Sequence, residues 1–386
     1  MEMRPPVGLE FREAFFGGLI DHCFTFCSGN RDWLRYTYNW RGRLAHWSGD
    51  RIYSILAKFG FVRRHYDQVR AAKCLEFILA HLSEFELVHS LLADPLSRDR
   101  FVDVLLLRTL GERHVRLPLD YRRYAACNES IQASIVGKNT VSLASYIHPS
   151  DKHNPLALHC YELPGHSGPI RLHANGFTVR NTFCFEQYAF DQIRAQPGDV
   201  VIDGGGCWGD TALFFADRVG ENGAVHSFEF HADNISIFER NLALNPLLKS
   251  RVKIVPFALW QTSGERLNIT GAGAVAAVGG SSVGNGGAQT KSIDDYIRQV
   301  GASVNFLKLD IEGAELNALQ GAEQTIRAFR PKLAVCLYHS LSDFIRIPMY
   351  LERLQLGYQF HLGHVTSNYE ETVLFAAANT AEPPKQ

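Results

Sequence analysis

Apolar residues in the first third of the chain recur at helical spacing. Between Val69 and Leu92, the positions Ala72, Leu75, Ile78, Leu79, Leu82, Leu87 and Leu91 fall near one face and predict a helix. Asp94-Pro95 breaks it, and Arg98 to Leu110 predicts a further short helix ended by Gly111. Phe11 to Phe26, rich in aromatics, and Ser54 to Phe61 read as other buried segments. Residues 1 to about 145 are therefore expected to be mostly helical. The texture changes between Ser145 and His166, where Pro149, Ser150, Asp151, Asn154 and Pro155 form a polar, turn-rich joint. Three short runs of strand character follow, Leu156 to Leu163, Ile170 to Ala174 and Phe177 to Phe183. Turns at Pro164-Gly165 and Asn175-Gly176 separate them, as in hairpins.

From Ala195 onward apolar strands alternate with helical patterns. Strands are predicted over Asp199 to Asp203, Ala224 to Glu229, Val252 to Ala258, Val304 to Asp310 and Lys332 to Tyr338. Helices are predicted over Asp210 to Val219, Asn234 to Asn245, Ile293 to Val300 and Ala314 to Phe329. The last carries Leu316, Leu319, Ala322 and Ile326 on one face. Regular alternation of this kind implies a mostly parallel sheet covered on both faces, the doubly wound α/β class. The expected organisation is a helical accessory or oligomerisation domain over residues 1–150. An α/β domain preceded by short β-hairpins follows over 151–386.

Charge and composition narrow the functional classes. Lys and Arg total 39 against 40 Asp and Glu, so the formal net charge of -1 offers no bulk attraction to nucleic acid or anionic membrane. A 46% hydrophobic share supplies a sizeable core and excludes wholesale disorder. No apolar run reaches the ~18 residues of a membrane span. The start, Met1-Glu2-Met3-Arg4-Pro5-Pro6, has no secretory pattern, so a cytoplasmic location is expected. The eight cysteines, Cys23, Cys27, Cys74, Cys127, Cys160, Cys184, Cys207 and Cys336, include no Cys-x-x-Cys pair and read as reduced thiols.

The chemistry is expected at the carboxyl end of the first parallel strand. There the chain reads Asp203-Gly204-Gly205-Gly206-Cys207-Trp208-Gly209-Asp210-Thr211. Glycines allow a sharp turn and close approach to a ligand, and the following helix offers its N–H groups. Glu229 ends the second strand twenty positions after Gly209, where an acid accepts bonds from ribose hydroxyls. Gly204, Gly206 and Gly209 also satisfy the dinucleotide pattern G-x-G-x-x-G. Asp203 and Asp210, however, would oppose a pyrophosphate at that point. S-adenosylmethionine carries an ammonium, a sulfonium and a ribose but no phosphate, and the charge pattern favours it over NAD.

These residues, with Ser227-Phe228-Glu229 and above all Lys308-Leu-Asp-Ile-Glu-Gly-Ala-Glu315, resemble the FkbM-type methyltransferases. The resemblance runs from about Asp199 to Phe375 and takes in Tyr369-Glu-Glu-Thr-Val-Leu-Phe375. It implies a Rossmann-like class I methyltransferase sheet and S-adenosylmethionine-dependent O-methylation of sugar or natural-product hydroxyls. By the same resemblance Asp203 and Gly205 match the glycine-loop positions, Glu229 would meet the ribose, and Ala258 and Leu259 would lie beside adenine. Two departures stand out. The family commonly has Ala-Asn where this chain has Gly206-Cys207, and a proline where it has Phe230. The cofactor-binding set is thus Asp203, Gly204, Gly205, Gly206, Cys207, Gly209, Asp210, Thr211, Glu229, Phe230, Ala258, Leu259 and Asp310.

An alcohol acceptor must lose a proton, so a base is expected at the strand ends. Asp310 and Glu312 follow the fourth strand and His339 the fifth; His339 has the ordinary pKa best suited to neutral pH, and the choice among the three stays open. For Glu315, helix N-terminal stabilisation is the preferred reading. Asp310 with Glu312 could hold Mg2+, whereas His361 and His364 lack a third ligand, and no metal ligand is assigned. Gly271 to Gly287 reads as a lid over the acceptor or as a linker without contact to the site. Trp208, Trp260 and Tyr338 either line an acceptor pocket or pack in the core. The rival functions are a catalytically silent cofactor-binding scaffold and an NAD-dependent oxidoreductase. A saccharide or small-molecule acceptor and a homodimer through the N-terminal domain are expected as partners, with no nucleic acid and no membrane span.

Overall fold

In the computed structural model, residues 9–24, 65–111, 115–147, 155–270, 277–279 and 287–378 are described. The segment Ser54 to Phe61, the joint from Pro149 to Asn154, and Gly271 to Gly287 apart from 277–279 and Gly287 lie outside them. Two compact units emerge: residues 1–128 with 364–372, and residues 129–363 with 373–386.

The described residues of the first unit are mainly helical. Helices span Leu9–Phe24, His65–Ala80, Leu82–Leu91 and Pro95–Leu110. The stretch expected as one helix from Val69 to Leu92 is two, because the chain turns at His81, whose Nδ1 lies 3.0 Å from the Phe77 carbonyl. Asp94 caps the next helix by accepting from the Ser97 N–H at 2.8 Å, and Gly111 closes it at φ 86°. Phe11, Phe15, Phe85 and Phe101 are fully buried and stack or tilt against one another at centroid distances of 5.6–6.3 Å. Burying four such rings contributes roughly 1.5–3 kcal/mol each. A helix Tyr121–Ala133 spans the division between the units.

The second unit begins with an antiparallel sheet of β1 (Ile135–Ile147), β2 (Pro155–Leu163) and β3 (Ile170–Ala174). Helical character was expected to residue 145; pairing of β1 with β2 overrides that local preference. Phe177 to Phe183, expected as a strand, is a short helix Gly176–Val179 running into a π-helical turn Arg180–Cys184. The reason is local: the Asn175 side chain accepts from the Thr178 N–H at 2.7 Å, so Asn175-Gly176 opens a helix instead of a hairpin.

The main sheet uses β4 (Val200–Gly204), β5 (Ala224–Phe228) and β6 (Val252–Val255). After Val255, Pro256 lacks the N–H that would extend the ladder. The predicted strand therefore divides, and β7 (Ala258–Leu259) joins a smaller sheet with β8 (Arg266–Thr270), β9 (Ala277–Gly279) and β10 (Ala288–Lys291). The main sheet continues with β11 (Phe306–Leu309), β12 (Lys332–Cys336), β13 (Tyr358–His364) and β14 (Thr372–Ala378). Its order is β13-β14-β12-β11-β4-β5-β6. The β11–β12, β11–β4, β4–β5 and β5–β6 pairs are parallel, and β14 runs antiparallel to β12. This is a doubly wound, Rossmann-like sheet, as the alternation predicted.

The helix Asp210–Val219 is buried at nearly every position, and Trp208, Phe214, Phe215 and Phe306 fill the core around it. Ala314 to Phe329, predicted as one helix, is Glu315–Gln320 followed by Glu323–Phe329. Between them the Gly321 carbonyl accepts from the Asp294 N–H at 2.8 Å, which anchors the break. The six cysteines whose side chains are described form no disulfide. Among the described residues no helix is long and apolar enough to cross a membrane.

Candidate active site

Because β4, β5, β11 and β12 run parallel, their carboxyl ends share one edge. Gly204, Phe228, Leu309 and Cys336 are the last strand residues there. The Gly205 and Gly206 N–H groups donate to the Phe228 carbonyl at 3.0 and 2.9 Å, and the Asp310 N–H to the Gly204 carbonyl at 3.1 Å. Gly205 sits at φ 85°, and a Cβ there would overlap the Asp310 carbonyl oxygen. Only glycine meets both demands.

Beneath the loop lies a buried ion pair. Lys308 is 1% exposed and Asp203 fully buried, with Nζ 3.1 Å from Asp203 Oδ1. Lys308 also donates to the Gly204 and Gly205 carbonyls at 2.9 and 2.7 Å. Burial pulls the Lys308 pKa down, but Asp203 and Asp310 outweigh it and hold the ammonium above its ordinary range. Thr211 and Ser227 hydroxyls donate to Asp203 at 2.9 and 2.7 Å. The Asp203 carboxylate is thus occupied by the protein itself, and through Lys308 it supports the glycine loop.

Two other carboxyls are differently placed. Glu229 is 6% exposed, and burial pushes its pKa up to about 7 despite hydrogen bonds from the His231, Cys207 and Phe230 N–H groups and the Asn234 side chain. Asp210, at the first position of its helix, is pushed by burial to about 6 against the pull of Lys308. Its Oδ2 accepts from Thr182 at 3.3 Å, and its Oδ1 has no hydrogen-bond partner. Ala258 and Leu259 are buried, and Leu259 Cδ1 is 2.8 Å from where a Gly204 Cβ would stand, so β7 borders the loop. Phe230 is partly exposed beside Glu229. Cys207 adopts φ 44° and Gly209 φ 83°, the latter packed on the Phe238 ring.

The proton-handling candidates also meet. His339 Nε2 lies 3.5 Å from both Asp310 Oδ1 and Glu312 Oε2, while Nδ1 is 3.0 Å from Glu315 Oε1. Tyr188 and Tyr338 hydroxyls donate to Asp310 at 2.7 and 2.8 Å. Burial lowers the His339 pKa, but Glu315, Glu312 and Asp310 prevail and hold it well above its ordinary value. The ordinary pKa that recommended His339 as a base therefore does not apply in the fold. Asp310 is lowered: burial raises it, and His339, Lys308 and the two tyrosines overcome that. Glu312 is raised, chiefly by burial.

Sequence reasoning missed three members of this site. Glu315 does open its helix, but it is also fully buried against His339 and accepts from the Ile311 N–H at 2.8 Å. Tyr188 comes from a segment with no motif, and no sequence signal could have placed it. Lys308 stood in the recognised motif, and a lysine inside an apolar strand is a readable sign of a buried partner. Conversely Trp208 is 0% exposed and packs in the core, so it lines no pocket. The Mg2+ expectation for Asp310 and Glu312 gains no support, because a His339 ring nitrogen stands 3.5 Å from both carboxylates and Mg2+ prefers oxygen donors alone.

Residues 192–360 match the family described as the methyltransferase FkbM domain. No curated protein matches the chain. Among solved structures it is similar to the methyltransferase FkbM from Methylobacillus flagellatus KT, at 18% identity and a TM-score of 0.49, covering 78% of this chain and 60% of that one. A putative rRNA-methylase from Clostridium thermocellum is 16% identical with a TM-score of 0.35, over 49% of this chain and 90% of that one. Fibrillarin from Aeropyrum pernix, solved with natively bound S-adenosyl-L-methionine, is 9% identical with a TM-score of 0.36, over 63% of this chain and 100% of that one. The chain thus spans 60% of the length of the first of these.

Proposed function

We propose that this protein is an S-adenosylmethionine-dependent O-methyltransferase acting on a hydroxyl of a sugar, glycan or secondary metabolite. The observation that carries the cofactor reading is the pair of buried carboxyls at the glycine loop. Among the described residues Glu229 has backbone N–H donors but no Lys or Arg partner, and Asp210 keeps an oxygen without a hydrogen-bond partner. Such a cradle suits ribose hydroxyls and a cationic amino-acid end, and it opposes a pyrophosphate. Gly205, Gly206 and Gly209 leave the backbone bare for close approach, with Leu259 and Ala258 as an apolar flank.

When bound, S-adenosylmethionine supplies a methyl group already activated on a sulfonium sulfur. The chain's own residues must then orient an acceptor oxygen and take its proton. Glu312 is the best placed to take it, because its side chain is 26% exposed, against 16% for Asp310 and 8% for His339. Asp310, whose two oxygens each accept from a tyrosine, fixes the strand end, and His339 stands between the carboxylates of Asp310, Glu312 and Glu315. Aromatic faces at Tyr338 and Trp260 suit a sugar ring.

Calorimetric titration of S-adenosylhomocysteine and of NAD into the purified protein tests the reading. Saturable binding of the first alone, weakened at least about tenfold in Glu229→Ala, is expected; binding of NAD instead would overturn it. Cofactor binding without turnover over a panel of hydroxylated acceptors would favour the silent scaffold.

A further inference from the structure

One cluster holds more than the proton-transfer reading uses. Asp310, Glu315 and His339 each offer a ligand atom, and these atoms all lie within 4.8 Å of one another. The three come from separate stretches: the end of β11, the first turn of the helix Glu315–Gln320, and the loop after β12. Glu312 and Asp343 add carboxylates at its edge; Asp343 feels both Glu315 and His339. The nearby cations are occupied or peripheral, Lys308 with Asp203 and the loop carbonyls, and Arg346 toward Asp343.

The contacts are not those of a finished hydrogen-bond network. Among the described residues neither ring nitrogen of His339 has a hydrogen-bond partner, although the side chain is only 8% exposed and carboxylate oxygens stand at 3.0 and 3.5 Å. Glu315 Oε2, in a side chain 0% exposed, has none either. Buried polar atoms normally find partners, so these atoms call for a ligand. The 3.0 Å spacing between His339 Nδ1 and Glu315 Oε1 is what neighbouring ligands of one cation show when each bond is about 2.1 Å, and with one ligand atom from each residue Asp310 completes a set within 4.8 Å. Around them stands a supporting shell: two tyrosine hydroxyls on Asp310 and the Ile311 N–H on Glu315.

We propose that Asp310, Glu315 and His339 bind a divalent first-row cation of the Mn2+ kind. Mixed imidazole and carboxylate donors suit such an ion better than Mg2+ or Ca2+, which prefer oxygen alone. The binding stands on these residues; a role for the ion as a Lewis acid at the acceptor oxygen rests on the methyl-transfer reading above.

The test titrates Mn2+ into chelator-treated, dialysed full-length protein, following free Mn2+ by electron paramagnetic resonance. One saturable site per chain is expected, weakened about 10–100-fold in Glu315→Gln and in His339→Ala and unchanged in Glu229→Ala. On the wild-type protein alone, spin-echo spectra should show nitrogen coupling from the His339 ring. No saturable site, or a site without nitrogen coupling, overturns the proposal even if either variant fails to fold. S-adenosylhomocysteine binding without Mn2+ binding would overturn this inference and leave the cofactor reading intact; the reverse result would do the opposite.

Discussion

Cys207 occupies a conformation that costs an ordinary L-residue free energy. Its φ of 44° lies in the left-handed region, which asparagine tolerates better than other side chains. That gives a physical reason for the family's usual asparagine at this position. Cys207→Asn is therefore expected to stabilise the fold by about 0.5 kcal/mol, within the range of such backbone effects. Denaturant unfolding would check it, and a loss of stability would mean that the thiol's packing outweighs the strain. At Gly205 no such exchange is open, since positive φ and the Asp310 carbonyl act together. Glu312 is the other non-glycine of the site at positive φ, 56°, followed by Gly313 at 97°. Backbone strain thus gathers at the turn that presents the proposed base.

At the scale of elements, the site is an edge where parallel strands end together, and the Asp203–Lys308 pair fastens two of them. β4 supplies the acid and β11 the lysine, which also holds the carbonyls of the glycine loop. Asp203→Ala would leave the buried Lys308 ammonium without its carboxylate partner. The expected cost is about 3–5 kcal/mol of stability, the usual result of removing one member of a buried pair. Thermal and denaturant unfolding should show it. A variant that lost cofactor affinity at full stability would instead give Asp203 a direct role at the ligand. The sequence placed Asp203 at the strand tip correctly, but it could not show that Thr211, Ser227 and Lys308 fill its oxygens, because those contacts join residues up to 105 positions apart. Local signals decided two of the elements that the sequence misjudged, the Asn175 cap and Pro256, whereas the break at Gly321 is anchored by Asp294 from a different helix.

For the whole molecule, the buried carboxyls tie stability to pH. Glu229 at about 7 and Asp210 at about 6 both lie above their unfolded values. Their contribution is fully present below about pH 4, the unfolded range, and is lost as pH rises through those two folded values. A tenfold difference in proton affinity between the folded and unfolded chain corresponds to about 1.4 kcal/mol. The fold without cofactor should thus lose stability between about pH 4 and 7 more steeply than Glu229→Gln, whose side chain does not titrate. Parallel melting profiles of the two proteins would check this; superimposable profiles would mean that Glu229 is not desolvated.

The sequence by itself determined the class of sheet and where along the chain its central parallel strands lie. Hydrophobic periodicity and glycine spacing are local quantities, and the motif from Lys308 to Glu315 marks the edge in one stretch of chain. Only the tertiary structure decided which side chains do what there. Glu315 became a buried partner of His339, Trp208 a core residue, and Tyr188 a donor to Asp310 from 122 positions away. Burial and charge proximity set those roles, and both are properties of the packed sheet: a pKa follows from what surrounds a group, and that is fixed only when distant strand ends are brought to the same edge.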